Sequence, residues 1–292
     1  WYLKLPADVE YVSPRIFDYS TSYVNPYVSM EYYAYHTVHE LFLYGDLTLQ
    51  QWIDIFNRIR FVCDDFKRYT VQDAGIRSAL EEMYLTKTLQ RFKKMKKDER
   101  FITFFESPIV VNGKRYLPLN EIIISLEQAI PEMLYDVDTF NIIHGDLCFA
   151  NIMVDSNFSF IKVIDPRGKF GTYDIYGDFR YELAKLFHSV DGKYDFIIKD
   201  LFDLDYNSEA ACINYRIQDR KREFDLYKVF LSTFATEIDS DLKKIELIEA
   251  LLFLSMIPLH GESIRHQMVM LGTGLEILNR VIDIQIGEKK NV

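Results

Sequence analysis

The hydrophobic positions of this chain follow two periods, and the switch between them lays out its elements. Residues 15–19 (Arg-Ile-Phe-Asp-Tyr) and 27–33 (Tyr-Val-Ser-Met-Glu-Tyr-Tyr) are short and rich in aromatic and β-branched side chains, which predicts strands. From Thr48 the spacing lengthens, and an amphipathic helix is expected to about Lys67. A second helix, opening at Asp73 or Ser78, carries Leu80, Met83, Tyr84, Leu85, Leu89 and Phe92 at helical intervals. Its basic end, Lys93-Lys94-Met95-Lys96-Lys97, suits the negative pole of a helix terminus. Asn112-Gly113 inside Val110–Tyr116 is a hairpin signal, and Leu119 to Tyr135 reads as another helix. Beyond residue 178 the pattern is nearly all helical, over about 178–190, 218–237, 241–257 and 262–285.

Between these helical regions lies a stretch of different character. His144-Gly145-Asp146-Leu147-Cys148-Phe149-Ala150-Asn151 is followed, fourteen residues after Asn151, by Asp165-Pro166-Arg167-Gly168. Met153-Val154 and Phe160 to Ile164 read as two strands joined by the turn residues Asp155-Ser156-Asn157. That hairpin brings Asn151 and Asp165 to one end. The first block differs at one position from the H-R-D-L-x-x-x-N catalytic loop of protein kinases. At this spacing Asp146 is positioned to accept the proton of an attacking hydroxyl. Asn151 and Asp165 offer the hard oxygen ligands that a Mg²⁺ ion bridging phosphates prefers. His144 is read as a brace for the loop. Arg167, beside the metal-type Asp, either meets phosphate or substrate or pairs with a carboxylate such as Asp178.

These motifs resemble the aminoglycoside phosphotransferase and choline kinase superfamily, small-molecule kinases with a protein-kinase-like fold that use His-Gly-Asp where protein kinases use His-Arg-Asp. Tyr176-Gly177-Asp178-Phe179-Arg180-Tyr181-Glu182-Leu183-Ala184 is similar to the family's G-D-x-x-x-D-L-A segment, with Glu182 replacing the usual Asp. The resemblance implies that Asp178 and Glu182 support the catalytic loop from a helix beneath it. The Asp-Pro-Arg-Gly form of the metal motif departs from Asp-Phe-Gly or Asp-Trp-Glu. It looks like a subgroup found in bacterial capsule and surface-polysaccharide loci, whose members resemble fusions with an upstream nucleotidyltransferase-like domain. The resemblance is specific over about residues 140–190, moderate over 14–140 and weak in the C-terminal hundred residues.

The implied fold class is α+β and protein-kinase-like: a truncated small β lobe, then a large, mostly helical C-lobe containing the catalytic-loop hairpin. Residues 1–38 are the expected remnant of the small lobe and its hinge strand, and 39–292 the C-lobe. Its catalytic loop is 144–151 and its metal motif 165–168. Met30, Glu31, Tyr32 and Tyr33 would offer backbone groups to the adenine of ATP. His39-Glu40-Leu41 and Gly45-Asp46-Leu47 would then form the linker into the larger lobe. Pro258-Leu259-His260 interrupts an apolar helix, and a cleft-facing role for His260 and Arg265 in binding the acceptor stands beside a plain interhelical loop. His188 is read as structural. Tyr19, Tyr23, Tyr27, Tyr32, Tyr33 and Tyr35 cluster early, fitting either an aromatic cleft or strand packing.

Composition removes other classes. The 292 residues are 49% apolar and 27% charged, as in a globular protein, and no apolar run reaches membrane-span length. The net charge of −10 disfavours nucleic acid as a partner. Cys63, Cys148 and Cys212 are odd in number and widely spaced, read as reduced thiols of a cytoplasmic protein, with Cys148 a spectator in the loop. A kinase small lobe also needs a Gly-rich loop and a phosphate-binding Lys. Neither is found, and Lys4 is too close to the hinge segment, so a fragment of a longer parent is expected. The reading is therefore an ATP- and Mg²⁺-dependent phosphotransferase acting on a hydroxyl of a sugar, amino alcohol or polysaccharide precursor. The alternative is a nucleotide-binding pseudokinase or a docking module of a larger capsule-biosynthesis protein.

Overall fold

A computed structural model describes residues 1–286. Four small sheets are set around a helical body, and each expected hairpin has a local cause. Asn112 and Gly113 take positive φ, which joins strands Ile109–Val111 and Lys114–Tyr116 in a tight turn. Asp155 makes the other turn. Its Oδ1 accepts the backbone N–H groups of Ser159 and Phe160 at 2.7 and 2.8 Å, so strands Ile152–Val154 and Ile161–Val163 pair antiparallel. His36–Thr37 adds to this hairpin as a third strand. A second three-stranded sheet pairs Phe140–Ile142 with Thr70–Val71 and Tyr176–Gly177.

The near-helical expectation beyond residue 178 needs correction. Strands Phe202–Asn207 and Cys212–Ile217 form an antiparallel hairpin, and the second runs parallel to Ile109–Val111 to complete a four-stranded sheet. The expected helix over 218–237 begins only at Leu226, capped by Asp225. The preceding basic run is instead spent on bonds elsewhere: Arg222 donates to the carbonyl of Phe42 at 2.8 Å and Arg220 to that of Gly45. The last helix spans Ile264–Leu278, not 262–285, and the chain then returns to the sheet, where the Leu117 amide bonds Ile284 O at 2.9 Å. The linker expected around His39 is itself helical, Val38–Tyr44. Thr37 and Glu40 form a reciprocal capping box there that the sequence carried as Thr-x-x-Glu.

The other helices match closely. Thr48 caps Leu49–Lys67 in a second capping box with Gln51, and Leu119–Leu134, Phe179–Val190 and Leu242–Met256 fall where the spacing put them. The stretch opening at Ile76 is neither of the two starts expected, since Gly75 precedes it. It runs as Ile76–Leu80, a π-helical segment Glu81–Thr86, then Lys87–Met95. A π turn inserts a residue and rotates the phase of the helix, a distortion often found at functional sites.

One aromatic cluster grips the loop 144–151. Phe149 packs against Phe42, Trp52 and Phe56 with ring centroids 5.3, 6.3 and 6.4 Å apart, and Phe42 in turn meets Phe196 at 5.1 Å. The loop's own apolar residue is thus buried in the body beneath it. The N-terminal ribbon, Ile16–Ser20 with Tyr27–Met30, contrasts with this. It pairs only with itself, and Tyr23 and Tyr32 stand 99% and 86% exposed, so neither takes the cleft or strand-packing role open to the early tyrosines.

Candidate active site

The loop from His144 to Asn151 closes on itself through its own backbone. Cys148 N–H donates to Asp146 O at 2.8 Å, Asn151 N–H to Cys148 O at 3.0 Å, and the Asn151 amide group to Asp146 O at 2.9 Å. Ile164 N–H bonds Asn151 O at 3.0 Å, so the ends of the hairpin strands hold Asn151 next to the segment entering Asp165. Asn151 Nδ2 also reaches Asp146 Oδ2 at 3.2 Å, which leaves its Oδ1 for a cation. The Asp165 carboxylate has no hydrogen-bond or ion-pair partner among the described residues and is exposed at a left-handed φ of 56°. An amide oxygen and an unpaired carboxylate at one hairpin end form a donor set suited to a hard cation such as Mg²⁺.

Gly145 explains the middle letter of His-Gly-Asp. Its φ is +76°, and an added Cβ would lie 3.0 Å from Cβ of Arg167, whose N–H bonds His144 O at 3.0 Å. The metal-type segment therefore crosses the loop where any side chain would collide. The Arg167 guanidinium donates to the Tyr181 hydroxyl at 2.9 Å; the alternative pairing with Asp178 does not form, because that carboxylate is already occupied. Asp178 caps Phe179–Val190, accepts the Tyr84 hydroxyl at 2.8 Å and pairs with Arg180 at 2.8 Å. Of the two acids expected under the loop, Glu182 is the one touching it. It is fully buried and accepts the N–H of Gly145 at 2.9 Å and of His144 at 3.2 Å. Burial pushes its pKa up to about 8, the Gly145 amide working against that and the Asp146 charge adding to it.

His144 is buried against the edge of the Trp1 ring at 5.4 Å, and burial lowers its pKa to about 4, so it is neutral at physiological pH. This environment suits the bracing role expected for it. Cys148 is buried too, and burial raises its thiol to about 12, far from a reactive thiolate and in keeping with a spectator. His188 stacks on Tyr194 at 4.3 Å inside the core.

Lys185 completes the centre. Its Nζ lies 2.7 Å from Asp146 Oδ1. Burial opposes its charge, but Tyr181 and Asp146 outweigh that and hold its pKa above the ordinary lysine value. A cavity of about 420 Å³ opens over this pair. Asp146, Asp165, Arg167 and Lys185 line one side, Tyr84, Lys87 and Arg91 come from the π-distorted helix, and Leu251, Leu252, Met256 and Leu259 supply an apolar wall. Sequence reasoning missed Lys185, Lys87, Arg91 and Tyr181. The signal for Lys185 was a cation inside the apolar run Leu183-Ala184-Lys185-Leu186-Phe187, three residues after Glu182 on one helix face.

Other candidates fall outside this cavity. Arg265 stacks over the Phe202 ring at 5.2 Å and His260 Nδ1 meets Glu262 at 3.1 Å; neither lines the cavity. Glu31 and Tyr33 line a separate cavity of about 520 Å³ with Tyr2, Arg15 and Lys162, whereas Met30 and Tyr32 do not. Tyr2, in the lining of this second cavity, accepts the Asp165 N–H on its hydroxyl at 3.1 Å.

No protein-family model matches the chain, and no curated protein matches it in sequence. Among solved structures, the chain is similar to a choline kinase from Cryptosporidium parvum Iowa II, at 11% identity and a TM-score of 0.44, covering 92% of this chain and 73% of that one. The likeness is loose, and the functional reading rests on the residues around Asp146. Among the described residues no helix is long and apolar enough to cross a membrane.

Proposed function

We propose that this chain is a small-molecule phosphotransferase that moves the γ-phosphoryl group of ATP to a hydroxyl of a sugar, amino alcohol or polysaccharide precursor. The observation that carries the reading is Asp146 held between Lys185 and Asn151 at the floor of a cavity that Asp165 also lines. The acceptor's hydroxyl would give its proton to Asp146 as its oxygen bonds to the γ-phosphorus, and the bond from that phosphorus to the bridging oxygen of ADP would break. Mg²⁺ bound with the nucleotide supplies neutralisation of phosphate charge, and Asn151 and Asp165 are the residues that would hold it. Lys185, 2.7 Å from its Oδ1, aims the Asp146 carboxylate. Glu182, through two amides, fixes the loop's backbone, so that catalysis is mostly positioning and preorganised charge.

The cavity edged by Glu31, Tyr33 and Lys162 is the place we assign to the nucleotide, and the cavity over Asp146 is where we seat the acceptor. A capsule-locus role and a longer parent with an upstream nucleotidyltransferase-like domain belong to this proposal as the biological setting suggested by the Asp-Pro-Arg-Gly motif. Calorimetry of Mg·ATP with this chain and with Asp165→Ala tests the reading, followed by turnover of an acceptor panel by Asp146→Asn. Metal-dependent binding lost in the first variant and turnover lost in the second, with both folded, are expected. Nucleotide binding with full turnover in Asp146→Asn would remove the base assignment. Binding with no turnover on any acceptor would favour a pseudokinase, and no binding at all a docking module.

A further inference from the structure

In the lining of the cavity over Asp146, Lys185 is matched by Asp146, and Asp165 alone stands against three further cations, Lys87, Arg91 and Arg167. None of them lies in an ion pair among the described residues, although the chain as a whole carries a net charge of −10. Lys87 Nζ has only the Met83 sulfur as a partner, at 2.9 Å, and Arg167 only the Tyr181 hydroxyl. Arg91 has no side-chain hydrogen bond among the described residues. Cations that serve stability are paired, or free in solvent; these three converge on one concave site, where Lys87 and Arg91 are half-buried and Arg167 is exposed. Lys87 bears the consequence: burial, then the charge of Arg167, brings its pKa down to about 8. An anion between Lys87 and Arg167 would offset their mutual repulsion.

The wall bearing Lys87 and Arg91 faces the cavity because of the π segment just before it. Leu251, Leu252 and Met256 close the other side with apolar surface. At about 420 Å³ the cavity falls within the range of about 300–1,000 Å³ usual for small-molecule sites. A choline-like ammonium would meet more cations than acids here, and of the two aromatic rings in the lining, Tyr84 and Tyr181, the second already carries the Arg167 guanidinium over its face at 5.7 Å.

We infer that the acceptor is an anionic alcohol, a polyol or sugar bearing a phosphate or carboxylate, bound through Lys87 and Arg91 with a hydroxyl presented to Asp146. The acceptor sense of this site rests on the phosphotransfer reading above; the anion site itself does not. The other source of an anion is the nucleotide's own phosphates, and the test separates the two.

Glycerol 3-phosphate, glucuronate and choline are titrated calorimetrically into the chain and into Lys87→Met and Arg91→Gln, with and without saturating Mg·ATP. At least one of the two anions is expected to bind, to weaken about tenfold or more in each variant, and to persist in Mg·ATP, while choline binds more weakly than either. Thermal melts of the variants near that of the parent show that the loss is not unfolding. The inference is overturned by choline binding more tightly than the anions, by no saturable binding of either anion, or by affinities unchanged in both variants. Displacement by Mg·ATP, with both variants weakening ATP to the same degree, overturns it too, and gives the cations to the nucleotide. Anion binding in a chain that never binds Mg·ATP leaves the site standing and removes the phosphotransfer reading.

Discussion

Glu182 gives the sharpest test of how the loop is held, because its charge state and the loop's backbone geometry are the same question. Its carboxyl is fully buried and its pKa is raised from 4.5 to about 8. In the unfolded chain the proton leaves near the ordinary value. Between about pH 4.5 and 8 the folded state therefore holds a proton that the unfolded state has released, and stability falls as pH rises through that window. One proton of difference is worth about 1.4 kcal/mol per pH unit, so the whole window has an upper bound of about 5 kcal/mol. The amides of Gly145 and His144 and the nearby Lys185 already oppose burial within that shift, and about 2–3 kcal/mol of the window falls in the two pH units at its middle. Against a total stability of about 5–15 kcal/mol, that is readily measured.

The perturbation is Glu182→Gln, which keeps the volume and one acceptor oxygen for the Gly145 amide but cannot ionise. Urea denaturation of both proteins, followed by circular dichroism at pH 5, 6, 7, 8 and 9, cancels every other titration in the difference. Placing the Gln side chain adds an offset that does not vary with pH. The stability of the variant relative to the parent should rise by about 2 kcal/mol or more from pH 5 to 8 and then level off. A flat difference, or one of opposite slope, would mean that Glu182 is already ionised beneath the two amides, and would refute the reasoning.

Two further outcomes follow from the same geometry. Lys185→Met removes one partner of the pair and leaves Asp146, 35% exposed, without it, so stability should fall by about 1–3 kcal/mol, while turnover of a phosphorylated acceptor falls about 10²–10³-fold. Unchanged turnover would show that the contact with Asp146 is incidental. Asp178→Ala removes a helix cap and the buried partner of both Arg180 and Tyr84, and should destabilise the fold by about 3–5 kcal/mol in denaturant titration. A loss below about 1 kcal/mol would reassign Arg180 to Asp136, its other carboxylate at 2.8 Å.

What the sequence made legible, and what it hid, divides along the range of the interactions involved. The hairpin of strands Ile152–Val154 and Ile161–Val163 could be read because its causes are local: Asp155 bonds residues two to five positions ahead, and Asn151 folds back on Asp146 five positions behind. The hairpin at 202–217 was equally local, with Phe202-Asp-Leu-Asp and Ile213-Asn-Tyr-Arg alternating at period two, and was passed over because the flanking apolar helices set the expectation. The start of the helix expected over 218–237 failed for a non-local reason, since Arg220 and Arg222 bond carbonyls near residue 44. The cavity's cations were hidden in the same way. Lys87 and Arg91 look like the solvated face of an ordinary amphipathic helix until a π turn, invisible in the residue pattern, rotates them toward a site built by residues 146–185. Lys185 is the exception that a stricter reading would have caught. A lysine within a wholly apolar helical run must either lose its charge or find a buried carboxylate. The chain offers Asp146, and that pairing ties the helix carrying Glu182 to the loop it supports. The Glu-x-x-Lys spacing thus puts on one helix face the acid that holds the amides of His144 and Gly145 and the cation that pairs with Asp146.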